Sequence, residues 1–170
     1  MPRKRIPVAV VLFAGALMGL VLCATTDSHT VAITLQEIAE LACSGSPPAL
    51  VLSNAGTKPG SPPAPVTDAT TSLSWTSSVA SGMTRKITAS LDSDYPAGIV
   101  LKATLAKPAG SNGTSSGQKT LSDTAQDMFT GIAGEPCTGA TITFEASLTT
   151  IVAPVASESK ILTWTLTAEQ

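Results

Sequence analysis

The feature that most constrains the fold is an alternation of apolar and polar residues that recurs along the chain. In ATITFEASL, residues 140–148, the apolar residues Ile142, Phe144, Ala146 and Leu148 stand two apart, with polar residues between them. Side chains of a β-strand point alternately to opposite faces, so this spacing gives the strand one apolar face and one polar face. We therefore predict half-buried antiparallel strands.

The same alternation occurs in five other segments. They are HTVAITL (29–35), TSLSWTS (71–77), RKITASL (85–91), IVLKATLA (99–106) and the closing SKILTWTLTAEQ (159–170). Shorter candidates are ALVLS (49–53), QKTLS (118–122) and DMFTGI (127–132), whereas LQEIAELA (35–42) fits either a helical turn or a bent strand. Stretches rich in Gly, Pro, Asn and Asp separate these segments, as chain reversals require.

Composition points to the same fold class. Only 13% of residues are charged and 4% are aromatic, while Thr and Val, which suit a pleated surface, are abundant. Roughly seven to nine short strands with such turns predict an all-β chain that folds as a single immunoglobulin-like antiparallel β-sandwich. A jelly roll is the alternative topology.

The N-terminus has the three parts of an export signal. Arg3, Lys4 and Arg5 precede an almost wholly apolar run, residues 6–23, which small and polar residues follow. We predict a signal peptide at 1–24, a secreted cell-surface protein, and one mature β-sandwich domain at 25–170. An uncleaved membrane anchor and a lipidated Cys23 are the alternatives.

Cleavage leaves an acidic protein. The chain carries 10 basic and 12 acidic residues, and loss of the three N-terminal basic residues leaves 7 against 12, a net charge of −5. No basic patch remains for nucleic acid or anionic lipid, so neither is an expected partner. Contact with a membrane is expected only through an uncleaved signal segment.

Cysteine usage fits an oxidising compartment. Cys43 and Cys137 form an even pair after cleavage, and we predict a disulfide between them. Closure of so long a loop would stabilise the fold by roughly 4 kcal/mol in the loop-entropy picture. The alternative is two unpaired buried thiols.

The sequence offers little for catalysis. Its single histidine, His29, lies at the start of the mature chain, where a nucleophile–base pair is not expected. We therefore predict a protein that is not an enzyme and needs no cofactor. Asp92 and Asp94 stand two apart before a turn and are weak candidates for a metal site, with a solvated turn as the favoured interpretation.

Aromatic residues are the candidates for ligand contact. Trp75 and Trp164 each share a strand face with Leu, so we expect both in the core. Tyr95 lies in the turn DSDYPAG, residues 92–98, and is therefore the aromatic expected to be exposed and to contact a ligand.

Two resemblances to known protein families bear on function. TWTLT, residues 163–167, contains Trp164-Thr165-Leu166 and resembles the closing motif of WxL domains, secreted cell-wall-binding modules of Gram-positive bacteria. The whole mature region is similar in composition and layout to bacterial fimbrial and other surface-filament subunits. These resemblances imply a cell-surface protein whose partners are copies of itself, other surface proteins or cell-wall glycan.

The sequence thus supports two functions. The first is a secreted structural or adhesive protein that self-assembles by β-strand addition, with the alternating Val31, Ile33 and Leu35 as the exchanged strand. The alternative is a binding module for cell-wall glycan or for another protein, with Tyr95 at its ligand contact.

Overall fold

The computed structural model describes residues 26–55, 57–155 and 157–169. The described regular structure consists of nine strands and no helix, which confirms the all-β class. The strands are β1 (Ile38–Ser44), β2 (Val66–Ser78), β3 (Arg85–Leu91), β4 (Ile99–Leu105), β5 (Thr114–Ser115), β6 (Lys119–Thr120), β7 (Gln126–Ile132), β8 (Glu135–Leu148) and β9 (Leu162–Ala168). All nine belong to one compact unit, Leu35–Gln170.

The proposed signal peptide, its cleavage site and Cys23 lie outside the described residues. Within the part of the chain that is described, no helix is long and apolar enough to cross a membrane.

The strands form two antiparallel sheets. One has the order β1-β2-β8-β4-β6 and the other the order β5-β7-β3-β9. Among the described strands only β1 and β2 follow each other within a sheet, because from β3 onward each strand lies in the sheet opposite its predecessor. Two antiparallel sheets joined in this way are consistent with a β-sandwich.

The core lies between the inner faces of the two sheets. Trp75 on β2 and Phe129 on β7 belong to different sheets, and their ring centroids are 5.2 Å apart with the planes tilted by 51°. Along β8, Ile142, Phe144 and Ala146 are buried, as the alternation predicts. Burial of these apolar faces is the main favourable contribution to folding.

A close backbone approach fixes the start of β5 against β7. A Cβ atom added at Gly113 would lie 2.7 Å from the carbonyl oxygen of Thr130, closer than side-chain atoms pack. Only glycine therefore fits at this position.

Most of the expected strands are confirmed, and two are wrong. The five alternating segments from TSLSWTS onward correspond to β2, β3, β4, β8 and β9, and the ambiguous segment 35–42 contributes to β1. Segments 29–35 and 49–53 contain no strand. Alternation makes a segment amphipathic when extended, but a strand also needs a neighbouring backbone to pair with, and Pro47 and Pro48 remove two N–H donors just before 49–53.

The predicted disulfide between Cys43 and Cys137 is not formed. Both cysteines are free, Cys43 exposed and Cys137 buried. They lie on β1 and β8, the two neighbours of β2, where Cys43 is opposite Leu73 and Cys137 is opposite Trp75. Their Cα atoms are separated by two strand spacings of about 4.8 Å each and by an offset along the strands of two residues, about 6.6 Å. This separation exceeds the roughly 7 Å between Cα atoms that a disulfide can bridge.

We predict that the two thiols react very differently with a disulfide reagent such as Ellman's. Burial, together with the nearby Glu135 carboxylate, raises the pKa of the Cys137 thiol, so at neutral pH this group is both shielded and protonated. Cys43 should be labelled rapidly in the native protein and Cys137 only on denaturation. The C43S variant should lose the fast phase alone. If no thiol reacts until the protein is reduced, the two cysteines are instead joined in the predicted disulfide.

Candidate functional site

The two sheets differ sharply in the length of their edge strands. At one side of each sheet the edge strand, β5 or β6, has two residues, whereas at the other side β1 and β9 each have seven. An edge strand presents unpaired N–H and C=O groups to solvent, and shortness is one way in which proteins limit this exposure. The long edges β1 and β9 are therefore the surfaces with capacity to bind another strand.

β1 is a regular edge strand. Its pairing with β2 runs from Ile38↔Ser78 to Ser44↔Ser72 without a register shift. Leu41 is half-buried and the other six residues are exposed. Leu41 lies opposite the buried Trp75 and packs against the core, so β1 continues the apolar inner face of its sheet up to its edge, where it contacts β9 of the second sheet.

β9 carries the closing Trp-x-Leu of the sequence. It pairs along its whole length with β3, and Trp164 lies opposite the buried Ala89. Leu162, Trp164 and Leu166 are only half-buried, although they pack against the core. Trp75, in contrast, is 2% exposed, so the prediction that both tryptophans lie in the core holds fully for Trp75 and partly for Trp164.

A cavity of about 850 Å³ opens beside these strands. Phe144, Leu162 and Trp164 line it, together with the strand-free segments 45–54, 151–155 and 157–160. Val51, Ile151 and Val155 also line it and are exposed to solvent. An apolar cavity with exposed aliphatic groups around it is typical of a surface that binds an apolar partner.

Tyr95 is not the exposed aromatic that the sequence predicts. It is half-buried and packs against the core, and it lines the large cavity. Burial raises the pKa of its phenol, while the charge of the nearby Lys160 opposes that rise. The turn brings Tyr95 inward because β3 and β4, which it connects, lie in opposite sheets.

Asp92 and Asp94 bind backbone groups. Asp92 Oδ1 accepts a hydrogen bond of 3.0 Å from the N–H of Ile161, and Asp94 Oδ1 accepts one of 2.9 Å from the N–H of Asp123. Each carboxylate thus fixes a neighbouring loop to this turn. The described residues contain no cluster of three or more metal-ligating side chains.

A buried carboxylate that the sequence analysis missed links the core to a loop. Glu135 is 7% exposed and its Oε1 accepts hydrogen bonds from Trp75 Nε1 (3.2 Å) and Ser111 Oγ (2.7 Å). Its Oε2 accepts one from the backbone N–H of Asn112 (2.6 Å). The sequence carries no signal for this network, because one Glu between Gly134 and Pro136 has the pattern of an ordinary polar turn.

The segment that precedes β1 contains the proposed exchange strand. Residues 26–37 have no regular secondary structure. Val31, Ile33 and Leu35 are 71%, 90% and 76% exposed. Three large aliphatic side chains at alternating positions are therefore in contact with solvent.

We predict that Glu135→Ala lowers the free energy of unfolding by about 1–3 kcal/mol, because it leaves buried donors without an acceptor. Glu135→Gln, which retains an acceptor oxygen, should lose less. Asp127→Ala is the control, since it removes an exposed surface ion pair with Lys86 (3.0 Å), which is worth about 0–1 kcal/mol. Urea unfolding checks the order, and equal losses in E135A and D127A would contradict the role assigned to Glu135.

Comparison with known proteins adds no relative. The chain matches no protein-family model, no curated protein and no solved structure. Its function must therefore be inferred from the long edge strands, the cavity and the exposed segment before β1.

Proposed function

We propose that this protein is a non-enzymatic structural or adhesive component of a cell surface that self-assembles by β-strand addition. The observation that carries the proposal is the combination of two seven-residue edge strands, β1 and β9, with an exposed alternating segment at Val31, Ile33 and Leu35. Strand addition needs a sheet edge with unpaired backbone groups and an extended segment whose alternate side chains can be buried.

The exposed segment has the properties of a strand donor. Residues 28–36 carry no Asp, Glu, Lys or Arg, so pairing would bury no charge from those residues. Burial of Val31, Ile33 and Leu35 would remove three aliphatic side chains from water, each contributing about 1.5–3 kcal/mol before the entropy of ordering the segment is subtracted.

The carboxylates support a structural role rather than catalysis. Glu135, Asp92 and Asp94 accept hydrogen bonds that hold loops in place. Glu169 does the same, because its Oε2 accepts hydrogen bonds from Thr84 Oγ1 (2.9 Å) and the N–H of Gly131 (2.8 Å). These four carboxylates therefore serve to hold the fold.

The cell-surface location rests on the export signal in residues 1–24, whose basic start and apolar core precede the strands. Such a protein would meet its own copies, other surface proteins and cell-wall glycan.

For the fold, the strand order favours the jelly roll over the immunoglobulin-like topology. Immunoglobulin domains keep several consecutive strands in one sheet. Here the chain changes sheet after every strand from β2 to β8, as it does through most of a jelly roll. The pairs β2-β8 and β3-β7 join strands from early and late in the chain, which also favours the jelly-roll topology.

The direct test of self-assembly is the solution mass. Light scattering on protein expressed from the full chain should give a mass above that of a monomer, rising with concentration. Deletion of residues 25–35 should return the mass to that of a monomer, because the donor strand is lost.

Two double variants separate the apolar face from the rest of this segment. V31S/I33S should weaken assembly as the deletion does, whereas T30S/T34S, which changes the alternate positions, should assemble like the wild type. A monomer at every wild-type concentration would rule out self-assembly as the main role.

The cavity beside Tyr95 favours a second candidate, a binding module for cell-wall glycan or another protein. In that case Tyr95→Ala should abolish co-sedimentation with purified peptidoglycan, and Tyr95→Phe, which keeps the ring, should retain most of it. Because Tyr95 packs against the core, thermal unfolding of both variants must accompany the binding measurement. If the wild-type protein remains in the supernatant, peptidoglycan is excluded as the ligand.

A further inference from the structure

We propose that β1 is the strand through which two copies associate, pairing antiparallel with β1 of a second copy about a two-fold axis at Leu41. The inference rests on the proposed strand addition and names its partner, its edge and its register. The two five-stranded sheets would join into one continuous sheet across the axis.

The backbone of β1 is available for such pairing. Among the described residues, those at 38–44 take part in no backbone hydrogen bond outside the sheet ladders. β2 occupies one side of the strand along all seven residues, and β1 is the last strand on the other side. A row of unpaired N–H and C=O groups is complementary to another extended strand and to few other partners.

β1 also has few of the features that usually prevent edge pairing. Proteins protect an edge with charged side chains, above all Lys, with Pro, with a bulge or with a very short strand, and of these β1 has a single charged residue, Glu40. β1 reads IAELACS, contains neither Lys nor Pro, and shows no register shift against β2. The opposite edge of the same sheet is the two-residue β6.

Charge and length select the register. A two-fold pair uses all seven residues only when Leu41 faces its own copy, which places Ile38 opposite Ser44, Ala39 opposite Cys43 and Glu40 opposite Ala42. A shift of the axis to Glu40 would set two carboxylates against each other, which is unfavourable. A shift to Cys43 would leave the first residues of β1 unpaired.

The same register explains why assembly would depend on the segment before β1. A seven-residue ladder alone contributes little, since isolated two-stranded pairs are marginal in water. Leu35 of one copy would lie opposite Pro47 of the second copy, beside the cavity that Pro47 lines. Val31 and Ile33, which precede Leu35 in the chain, would supply the further apolar burial.

The first test changes one charge at one exposed position. Ala42→Glu would place a carboxylate opposite Glu40 of the second copy, twice per dimer, whereas Ala42→Lys would place an ammonium there. At low salt we expect A42E to weaken dimerisation and A42K to strengthen it, each by about threefold to tenfold. Ala42 is exposed and lies opposite the uncharged Ser74, so both variants should fold alike, which thermal unfolding checks.

The second test reads the register directly. In A39C, the new thiol would face Cys43 of the second copy, and diamide, a two-electron oxidant, would join the two thiols into a disulfide while it is reduced to the hydrazine. A covalent dimer should appear on a non-reducing gel for A39C, but not for I38C, whose side chain would face Ser44. A dimer in A39C/C43S as strong as in A39C would contradict the assigned pair.

These experiments distinguish the β1–β1 pair from the more general proposal of self-assembly by strand addition. If V31S/I33S abolishes assembly while A42E and A42K both behave like the wild type, strand addition stands and the β1 pair is overturned. Rapid formation of a wild-type Cys43–Cys43 dimer would overturn the register. A wild-type protein that is monomeric at every concentration would overturn both.

Discussion

The fold depends on the burial of two apolar sheet faces against each other. Trp75 and Phe129 make this contact across the two sheets, and the indole N–H of Trp75 is satisfied by Glu135. The same carboxylate holds the loop before β5 through Ser111 and Asn112. Core packing and loop position are therefore coupled through one buried side chain.

The sequence predicts those parts of the fold that depend on side-chain alternation alone. The strands containing Trp75, Ile87 and Phe144 are recognisable because one face of each is apolar, and burial of that face determines their orientation. The order of strands could not be predicted in the same way. Which strands pair is decided by contacts between distant parts of the chain, such as β2 with β8, that alternation does not encode.

The errors in the site predictions have physical causes. Cys43 and Cys137 are a plausible pair by their even number and by the predicted export, but the distance between them depends on β2 lying between their strands. Tyr95 sits in a turn, yet that turn connects the two sheets and directs the ring toward the core. The burial of Glu135 could not be predicted, because a buried carboxylate and an exposed one look the same in a sequence. Only the folded structure shows the hydrogen-bond donors that surround it.

The two-residue length of β5 and β6 limits how such molecules can aggregate. Amyloid fibrils lengthen without limit because every strand offers a full-length template above and below itself. In this protein a full-length template exists on one side only, since the far side of each sheet ends in a strand too short to recruit another chain. Open-ended growth through these short edges is therefore disfavoured by the fold itself.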